Sequence, residues 1–221
     1  GQAVWGGSGQ GFGFYRDGCH AQYVAVPVNA VTPLPKSLTF AQAATCGVPF
    51  ITAWDALERS HVKAGTRLLI IGAGAVAKAT QVLAEARGAN VVMAARRADV
   101  VQSLQAQSIT AFQLSQEGQL PEQARQHFKQ QAPEVIFETT GFWLAAAVNT
   151  VDTFGRVAII AAPKDGVISL SSLNLYRRGG SIVGINSLLY SLEECAQMLK
   201  RIGEAFDAGL PAPRGSIELP L

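Results

Sequence analysis

A short run of small residues has the types and spacing of a phosphate-binding turn. The run Gly72-Ala73-Gly74-Ala75-Val76-Ala77 reads G-x-G-x-x-A, and it lies between a buried-strand pattern and an amphipathic helix pattern. In such a turn Gly72 permits the sharp bend, Gly74 leaves room for a pyrophosphate beside the backbone, and Ala77 lets helix and strand pack closely. The first amides of the helix would then face the phosphates. An ordinary strand-to-helix turn is the alternative interpretation.

Two arginines follow the next predicted strand, at a position where many dinucleotide-binding units have an acid. Val91 to Ala95 forms that strand, and Arg96 lies nineteen residues after Ala77. An acid there binds the ribose 2′-hydroxyl of NAD, whereas a guanidinium suits the 2′-phosphate of NADP. Arg96 and Arg97 therefore predict NADP as the cofactor, with two solvated arginines as the alternative.

Strand and helix patterns alternate along most of the chain, which predicts an α/β protein with a Rossmann-type, doubly wound parallel sheet. Near the start, Tyr23 to Val28 alternates like a half-buried antiparallel strand, and Thr39 is a candidate helix N-cap. The remaining predicted strands are Arg67 to Ile71, Val135 to Glu138, Val157 to Ala162 and Ser181 to Ile185. The predicted helices are Thr52 to Ser60, the helix that follows the Gly72 to Ala77 run and ends at Arg87, Val100 to Gln107, Gln119 to Gln131, Phe142 to Val151 and Leu192 to Ala208.

Composition excludes several other classes of protein. Apolar residues make up 48% of the 221 residues, which argues against a disordered chain. The formal net charge is only +2 and there is no basic run, so a nucleic-acid groove is not expected. The longest uncharged apolar stretch, Leu68 to Ala77, is shorter than the ~20 residues that span a bilayer. Three dispersed cysteines suit a reducing compartment, and we expect a cytoplasmic protein.

Several segments together resemble the medium-chain dehydrogenase/reductase superfamily. They are Gly18 to Pro27, Thr52-Ala53-Trp54-Asp55-Ala56-Leu57, Val62 to Gly65, the Gly72 turn, Glu138-Thr139-Thr140-Gly141 and Gly155-Arg156-Val157. The run Ala43 to Pro49 is most similar to the zinc-free quinone oxidoreductase branch. The resemblance implies three parts. Residues 1–50 would be a remnant of a GroES-like β-barrel domain, residues 51–187 the dinucleotide-binding domain, and residues 188–221 a return segment. It also implies a chain truncated at both ends.

The resemblance implies further contacts to the cofactor. Thr52 would lie beside the nicotinamide and Val76 would pack on its ring. Thr140 and Gly141 match the loop after the fourth strand of the dinucleotide-binding domain. The backbone of two later segments would hold the carboxamide, through Ala161, Ala162, Ile185 and Ser187. Asp99 and Leu114 stand where the branch often has Lys and Tyr beside the adenosine phosphate, so Arg96 and Arg97 would carry that recognition.

The resemblance also implies that no metal is bound. Ser8 to Gly18 contains none of the cysteines of a structural zinc lobe, and Val48 occupies the position of a catalytic zinc ligand. The other two ligand positions would precede residue 1. A homodimer is expected through Ser181 to Tyr190, at the last strand of the sheet, with an internal strand and core loop as the alternative.

The function implied is hydride transfer from NADPH to a quinone or an α,β-unsaturated carbonyl, without catalytic zinc. Two alternatives stay open: an enoyl reductase module of a larger synthase, and a non-catalytic dinucleotide-binding protein. No catalytic residue is assigned. The candidate hydrogen-bond donors to a substrate are Tyr15, His20, Tyr23, Asn186 and Tyr190.

Overall fold

The structure, a computed structural model, describes residues 1–7 and 12–214. Its strands are β1 (Val4–Gly6), β2 (Val31–Pro33), β3 (Arg67–Ile71), β4 (Asn90–Ala95), β5 (Ala111–Gln113), β6 (Val135–Glu138), β7 (Arg156–Ile159) and β8 (Ser181–Gly184). Its α-helices are α1 (Phe40–Ala44), α2 (Gly47–Arg59), α3 (Ala75–Ala86), α4 (Ala98–Gln105), α5 (Leu120–His127), α6 (Leu144–Thr150), α7 (Ser172–Arg177) and α8 (Leu192–Asp207). The chain divides into two compact units, Ala56–Ile185 and the combination of Gly1–Asp55 with Asn186–Leu221.

The larger unit, Ala56–Ile185, holds a six-stranded parallel sheet in the order β5-β4-β3-β6-β7-β8. From β3 the chain winds outward through β4 to β5, and it then returns to β6 beside β3 and winds outward the other way. The strand order therefore reverses between β3 and β6. This arrangement confirms the predicted Rossmann-type α/β fold, and ligands of such sheets bind at the carboxyl edge beside the reversal.

Burial explains why the central strands were visible in the sequence. Leu68 to Ile71 of β3 are completely buried, because helices cover both faces of a parallel sheet. On one face the core consists of strand and helix side chains that include Leu69, Ile136, Val157, Leu120 and Val148. This continuous apolar packing fixes the strand ends from which the loops of the carboxyl edge leave.

The smaller unit contains a short antiparallel pair, β1 and β2, in which Trp5 lies opposite Thr32. The indole of Trp5 packs edge-on against Phe206 of α8, with ring centroids 6.4 Å apart, and Phe206 also contacts Phe50 of α2 at 5.2 Å. Thr39 is confirmed as an N-cap, because its side chain accepts a hydrogen bond from the Gln42 amide in a complete capping box.

The predicted strand Tyr23 to Val28 is wrong. These residues form no strand among the described residues, and Tyr23 and Val28 are about nine-tenths exposed. Alternating valines become a strand only when another strand pairs with their backbone, and the described residues place none beside them. The segment Ser8 to Gly18 includes residues 8–11, and the predicted return segment includes residues 215–221. Both parts lie outside the described residues.

Candidate functional site

The turn after β3 requires glycine at its first position. Gly72 has a φ of +121°, and a Cβ atom there would lie 2.1 Å from the Thr139 hydroxyl oxygen. The Gly72 amide donates to the Ala94 carbonyl of β4 over 2.8 Å, which holds the turn at the sheet edge. The Thr139 amide and hydroxyl both donate to the Ile71 carbonyl, at 3.0 and 2.8 Å. The turns after β3 and β6 are therefore packed directly against each other.

The N-terminus of α3 is open. Gly74 is the N-cap residue. Among the described residues, no side chain caps the helix, and a Cβ atom at Gly74 would meet no atom within 4 Å. Gly74 and Ala75 are exposed, Val76 is half-buried, and Ala77 is buried against the sheet. The first amides of a helix lack acceptors within it, so this end offers donors and a positive partial charge to an anion.

The loop after β6 is held by a buried acid. Glu138 is completely buried, and its carboxylate accepts hydrogen bonds from the Thr140 amide and hydroxyl and from the Gly141 amide. Gly141 has a φ of +85°, and a Cβ atom there would lie 2.8 to 2.9 Å from the backbone of Ala162. Thr140, Gly141 and Ala162 are thus brought together, as three of the predicted site residues.

A cleft of ≈ 370 Å³ opens where Arg96 follows β4. Its lining residues are Arg96, Leu114, Ser115, Glu117, Phe142 and Trp143. Arg96 and Arg97 are both exposed, but Arg97 lies 3.6 Å from the Asp99 carboxylate, so the two arginines are not equivalent. The ring of Phe142 is 57% exposed beside the cleft, which leaves an aromatic face available to a planar ligand. Phe142 was not among the residues predicted for the site, although its position directly after Gly141 was a usable signal.

Two residues predicted to lie beside the nicotinamide meet in the smaller unit. The Thr52 hydroxyl donates to the Ser187 hydroxyl oxygen over 3.0 Å, and both residues are buried. One helical turn further along α2, Asp55 accepts a 2.5 Å hydrogen bond from the Tyr190 hydroxyl. In the larger unit, Ile185 is buried and its amide donates to the Ile159 carbonyl, while Ala161 is half-buried. Two side-chain hydrogen bonds therefore join helix α2 to the turn of residues 187–190.

The candidate donors to a substrate have different surroundings. Tyr15 and Tyr23 are more than four-fifths exposed, and His20 is also exposed. The Asn186 side chain accepts from the Leu188 amide over 3.0 Å, as the cap of a short 3-10 turn. The hydroxyl of Tyr190 is engaged by Asp55. None of these contacts identifies a catalytic residue.

Residues 1–7 and 12–214 contain no group of three or more His, Cys, Asp or Glu side chains that could hold a metal ion. Burial raises the pKa of the Cys46 thiol to about 12, and that of Cys195 to about 11. Buried thiols with raised pKa are protonated at neutral pH and poor metal ligands. Val48 is half-exposed and has no ligating atom. Neither of these two buried thiols nor Val48 therefore offers a zinc ligand. In the same part of the chain, no helix is long and apolar enough to cross a membrane.

Comparison with known proteins agrees with this geometry. Residues 75–204, more than half of the chain, match the zinc-binding dehydrogenase family. The zinc-type alcohol dehydrogenase-like protein C337.11 of Schizosaccharomyces pombe is 35% identical over 214 residues. The match covers 95% of this chain and 62% of that protein. The chain thus spans about three fifths of this curated relative.

Solved structures share the same architecture. An alcohol dehydrogenase superfamily protein from Novosphingobium aromaticivorans is 28% identical with a TM-score of 0.82, covering 97% of this chain and 64% of that one. The quinone oxidoreductase from Thermus thermophilus, also solved in complex with NADPH, is 26% identical with a TM-score of 0.64. That match covers 83% of this chain and 58% of the other. The chain belongs to the zinc-binding dehydrogenase family, within the medium-chain dehydrogenase/reductase superfamily.

Proposed function

We propose that this chain is the dinucleotide-binding part of an NADPH-dependent oxidoreductase. The protein would transfer a hydride to a quinone or an α,β-unsaturated carbonyl without catalytic zinc. The observation that carries the cofactor assignment is Arg96, exposed at the carboxyl end of β4 and lining the same cleft as Phe142. The open α3 N-terminus supports the same proposal, because it offers amide donors to a diphosphate.

Arg96 favours NADPH over NADH because its guanidinium is positively charged and exposed. A guanidinium pairs with a 2′-phosphate by charged hydrogen bonds, each of which contributes roughly 1.5–3 kcal/mol. That range corresponds to a roughly ten- to hundredfold preference. Because Arg97 is already close to Asp99, we assign the preference mainly to Arg96. The NADPH complex of the similar Thermus thermophilus protein agrees with this assignment.

The proposed substrate class follows from the residues that could polarise a carbonyl group. Val48 stands where the resemblance places a zinc ligand, so this chain would supply no Lewis acid from that position. A conjugated acceptor needs less polarisation, because its double bonds delocalise the charge that develops. NADPH, when bound, supplies the hydride. The contribution of this chain is then to bind and orient, with Thr52 and Ser187 fixing each other at the predicted nicotinamide end.

We also propose a homodimer through β8. This strand is the last of the sheet, so one side of its backbone is not paired with another strand of the sheet. Exposed apolar side chains occur close to this strand in the larger unit, at Phe154, which lies against Gly179, and at Leu173 and Tyr176 of α7, which precedes β8. A second copy of the chain would pair with this edge and cover apolar surface.

Calorimetric titration with NADPH and NADH tests the cofactor assignment. The unmodified chain should bind NADPH at least about tenfold more tightly, and Arg96→Ala should remove that difference by weakening NADPH alone. Arg177→Ala is the matched control, because it removes an exposed arginine at the end of α7, which leads to the opposite edge of the sheet. Equal affinity for the two dinucleotides in the unmodified chain would refute the assignment.

A further inference from the structure

Glu138 lies where three loops of the carboxyl edge leave the sheet. It is the last residue of β6, and it is in register with Ile71 at the end of β3 and with Ile159 at the end of β7. Its side chain is completely buried. An acid at the centre of a parallel sheet is costly to bury unless its oxygens are hydrogen-bonded. Its position therefore needs an explanation beyond packing.

Both oxygens of the Glu138 carboxylate accept hydrogen bonds from the turn that follows it. Oε1 accepts from the Thr140 amide at 2.8 Å and from the Thr140 hydroxyl at 2.5 Å, and Oε2 accepts from the Gly141 amide at 2.8 Å. One side chain thus fixes the backbone of two successive residues. Gly141 in turn packs on the Ala162 backbone, so the loop after β7 is held as well.

The same contacts determine whether the hydroxyl groups of the turn can donate to a ligand or only accept from it. Because the Thr140 hydroxyl donates its only proton to Glu138, its oxygen can act toward a ligand only as an acceptor. The Thr139 hydroxyl is committed in the same way, to the Ile71 carbonyl. A phosphate oxygen at neutral pH is also mainly an acceptor and finds no donor in these hydroxyls. A sugar hydroxyl can donate to them.

We propose that Glu138 is a positioning residue of the dinucleotide site, which holds the Thr140–Gly141 turn and presents the Thr140 oxygen as an acceptor for a ribose hydroxyl. Thr140 is partly exposed, so a ligand can reach it. This inference rests on the proposed dinucleotide function and deepens it. The two parts of the site would bind different groups of the dinucleotide: the α3 N-terminus the phosphates, and the turn after β6 a sugar.

Two variants of Thr140 test the acceptor role. Thr140→Val keeps the shape and removes the hydroxyl, and we expect it to weaken NADPH binding about fivefold, which corresponds to about 1 kcal/mol. Thr140→Ser restores the hydroxyl and should bind NADPH within about twofold of the unmodified chain. Unchanged binding by Thr140→Val, or equal losses in both variants, would overturn the acceptor role.

Glu138→Gln tests the positioning role without any cofactor. Amide hydrogen exchange, followed by NMR in the free protein, should speed up at Thr140 and Gly141 by at least about tenfold, because the carboxamide keeps one acceptor oxygen and introduces a donor. The amides of β3 report whether the sheet is intact. Glu134→Gln is the matched control: it makes the same change at the residue just before β6, where Glu134 accepts from the Arg67 amide. Unchanged exchange at Thr140 and Gly141 would overturn the positioning role.

The two measurements separate this inference from the proposed function. If the unmodified chain binds neither NADPH nor NADH, the proposed function fails and the ribose assignment fails with it. The exchange rates still decide whether Glu138 holds the turn, because they are measured in the absence of a dinucleotide. If NADPH binds but Glu138→Gln changes neither exchange nor affinity, the proposed function stands and the inference fails.

Discussion

Gly72 and Gly74 are two residues apart in the same turn and are subject to different physical constraints. Gly72 needs glycine for the fold, because its φ is +121° and a Cβ atom would overlap the Thr139 side chain. Gly74 has a φ of −74° that any residue adopts, and the space beside it is open. We therefore propose that Gly74 serves a bound ligand. The motif would then combine a folding requirement at Gly72 with a binding requirement at Gly74.

Replacing each glycine by alanine should separate these requirements. We expect Gly72→Ala to lower the free energy of unfolding by about 2 kcal/mol or more, through a strained backbone and a steric overlap. Gly74→Ala should change that free energy by less than about 1 kcal/mol, yet weaken NADPH binding. Urea denaturation and calorimetric titration of both variants provide the measurements. A Gly74→Ala chain with full NADPH affinity would contradict the pyrophosphate role.

The elements that sequence patterns predicted well are those whose burial is complete. β3 and β6 were placed at the residues where the structure has them, because strands buried on both faces consist mostly of apolar residues. The three-residue strand β5 and the six-residue helix α7 were missed, since such short elements show no clear period. Patterns of apolar residues predict which residues are buried. They identify a helix or a strand only when that element is long enough to show its period.

Some residues of the candidate site could be predicted from local sequence, and others could not. Gly72 and Arg96 could be predicted, because their chemistry follows from their place after a strand. Glu138 was recognised only as part of a family motif, because a carboxylate at a strand end usually faces water. The contact between Thr52 and Ser187 joins residues 135 positions apart. Such a contact depends on tertiary structure and leaves no local pattern.

Helix α8 offers a test of local structure. Ser191 caps it, its hydroxyl accepts from the Glu194 amide, and the Glu194 carboxylate accepts from the Ser191 amide and hydroxyl. We expect Ser191→Ala to lower the free energy of unfolding by about 1 kcal/mol in denaturant titrations at pH 7. Ser103→Ala, an exposed serine within α4, should stay within about 0.5 kcal/mol.

The capping contribution should also depend on pH. The hydrogen bonds from Ser191 lower the pKa of Glu194. A carboxyl with a lowered folded-state pKa stabilises the protein above its ordinary pKa, and loses that effect as the pH falls through the lowered value. The difference between Ser191→Ala and the unmodified chain should therefore shrink in acid. A difference that is constant from pH 7 to the acid limit would contradict the capping box.

Across the larger unit, the reversal of strand order between β3 and β6 explains why the Gly72 turn and the Glu138 turn, where we propose the dinucleotide site, lie together at one sheet edge. The Gly72 turn and the Glu138 turn leave the two strands that flank the reversal, and a crevice opens there in doubly wound sheets. Neither turn could be assigned to this place until the strand order was known. The fold thus joins residues that are 66 positions apart in the chain.

The proposed homodimer can be tested by light scattering after gel filtration. The unmodified chain should have the mass of two copies. Leu189→Lys places a charge on an exposed leucine within the segment predicted to join the copies, and should shift the mass toward one copy. Phe40→Lys, at an exposed residue of α1, should leave the mass unchanged. A single-copy mass for the unmodified chain would refute the dimer.

We propose that Arg96 recognises a 2′-phosphate, and two small ligands isolate the contribution of that group. Adenosine 2′,5′-bisphosphate and 5′-AMP differ only by the 2′-phosphate, so titration with both measures its contribution directly. We expect the bisphosphate to bind the unmodified chain about ten- to hundredfold more tightly, and Arg96→Ala to abolish the difference. Equal affinity of the unmodified chain for the two ligands would show that Arg96 does not recognise a 2′-phosphate.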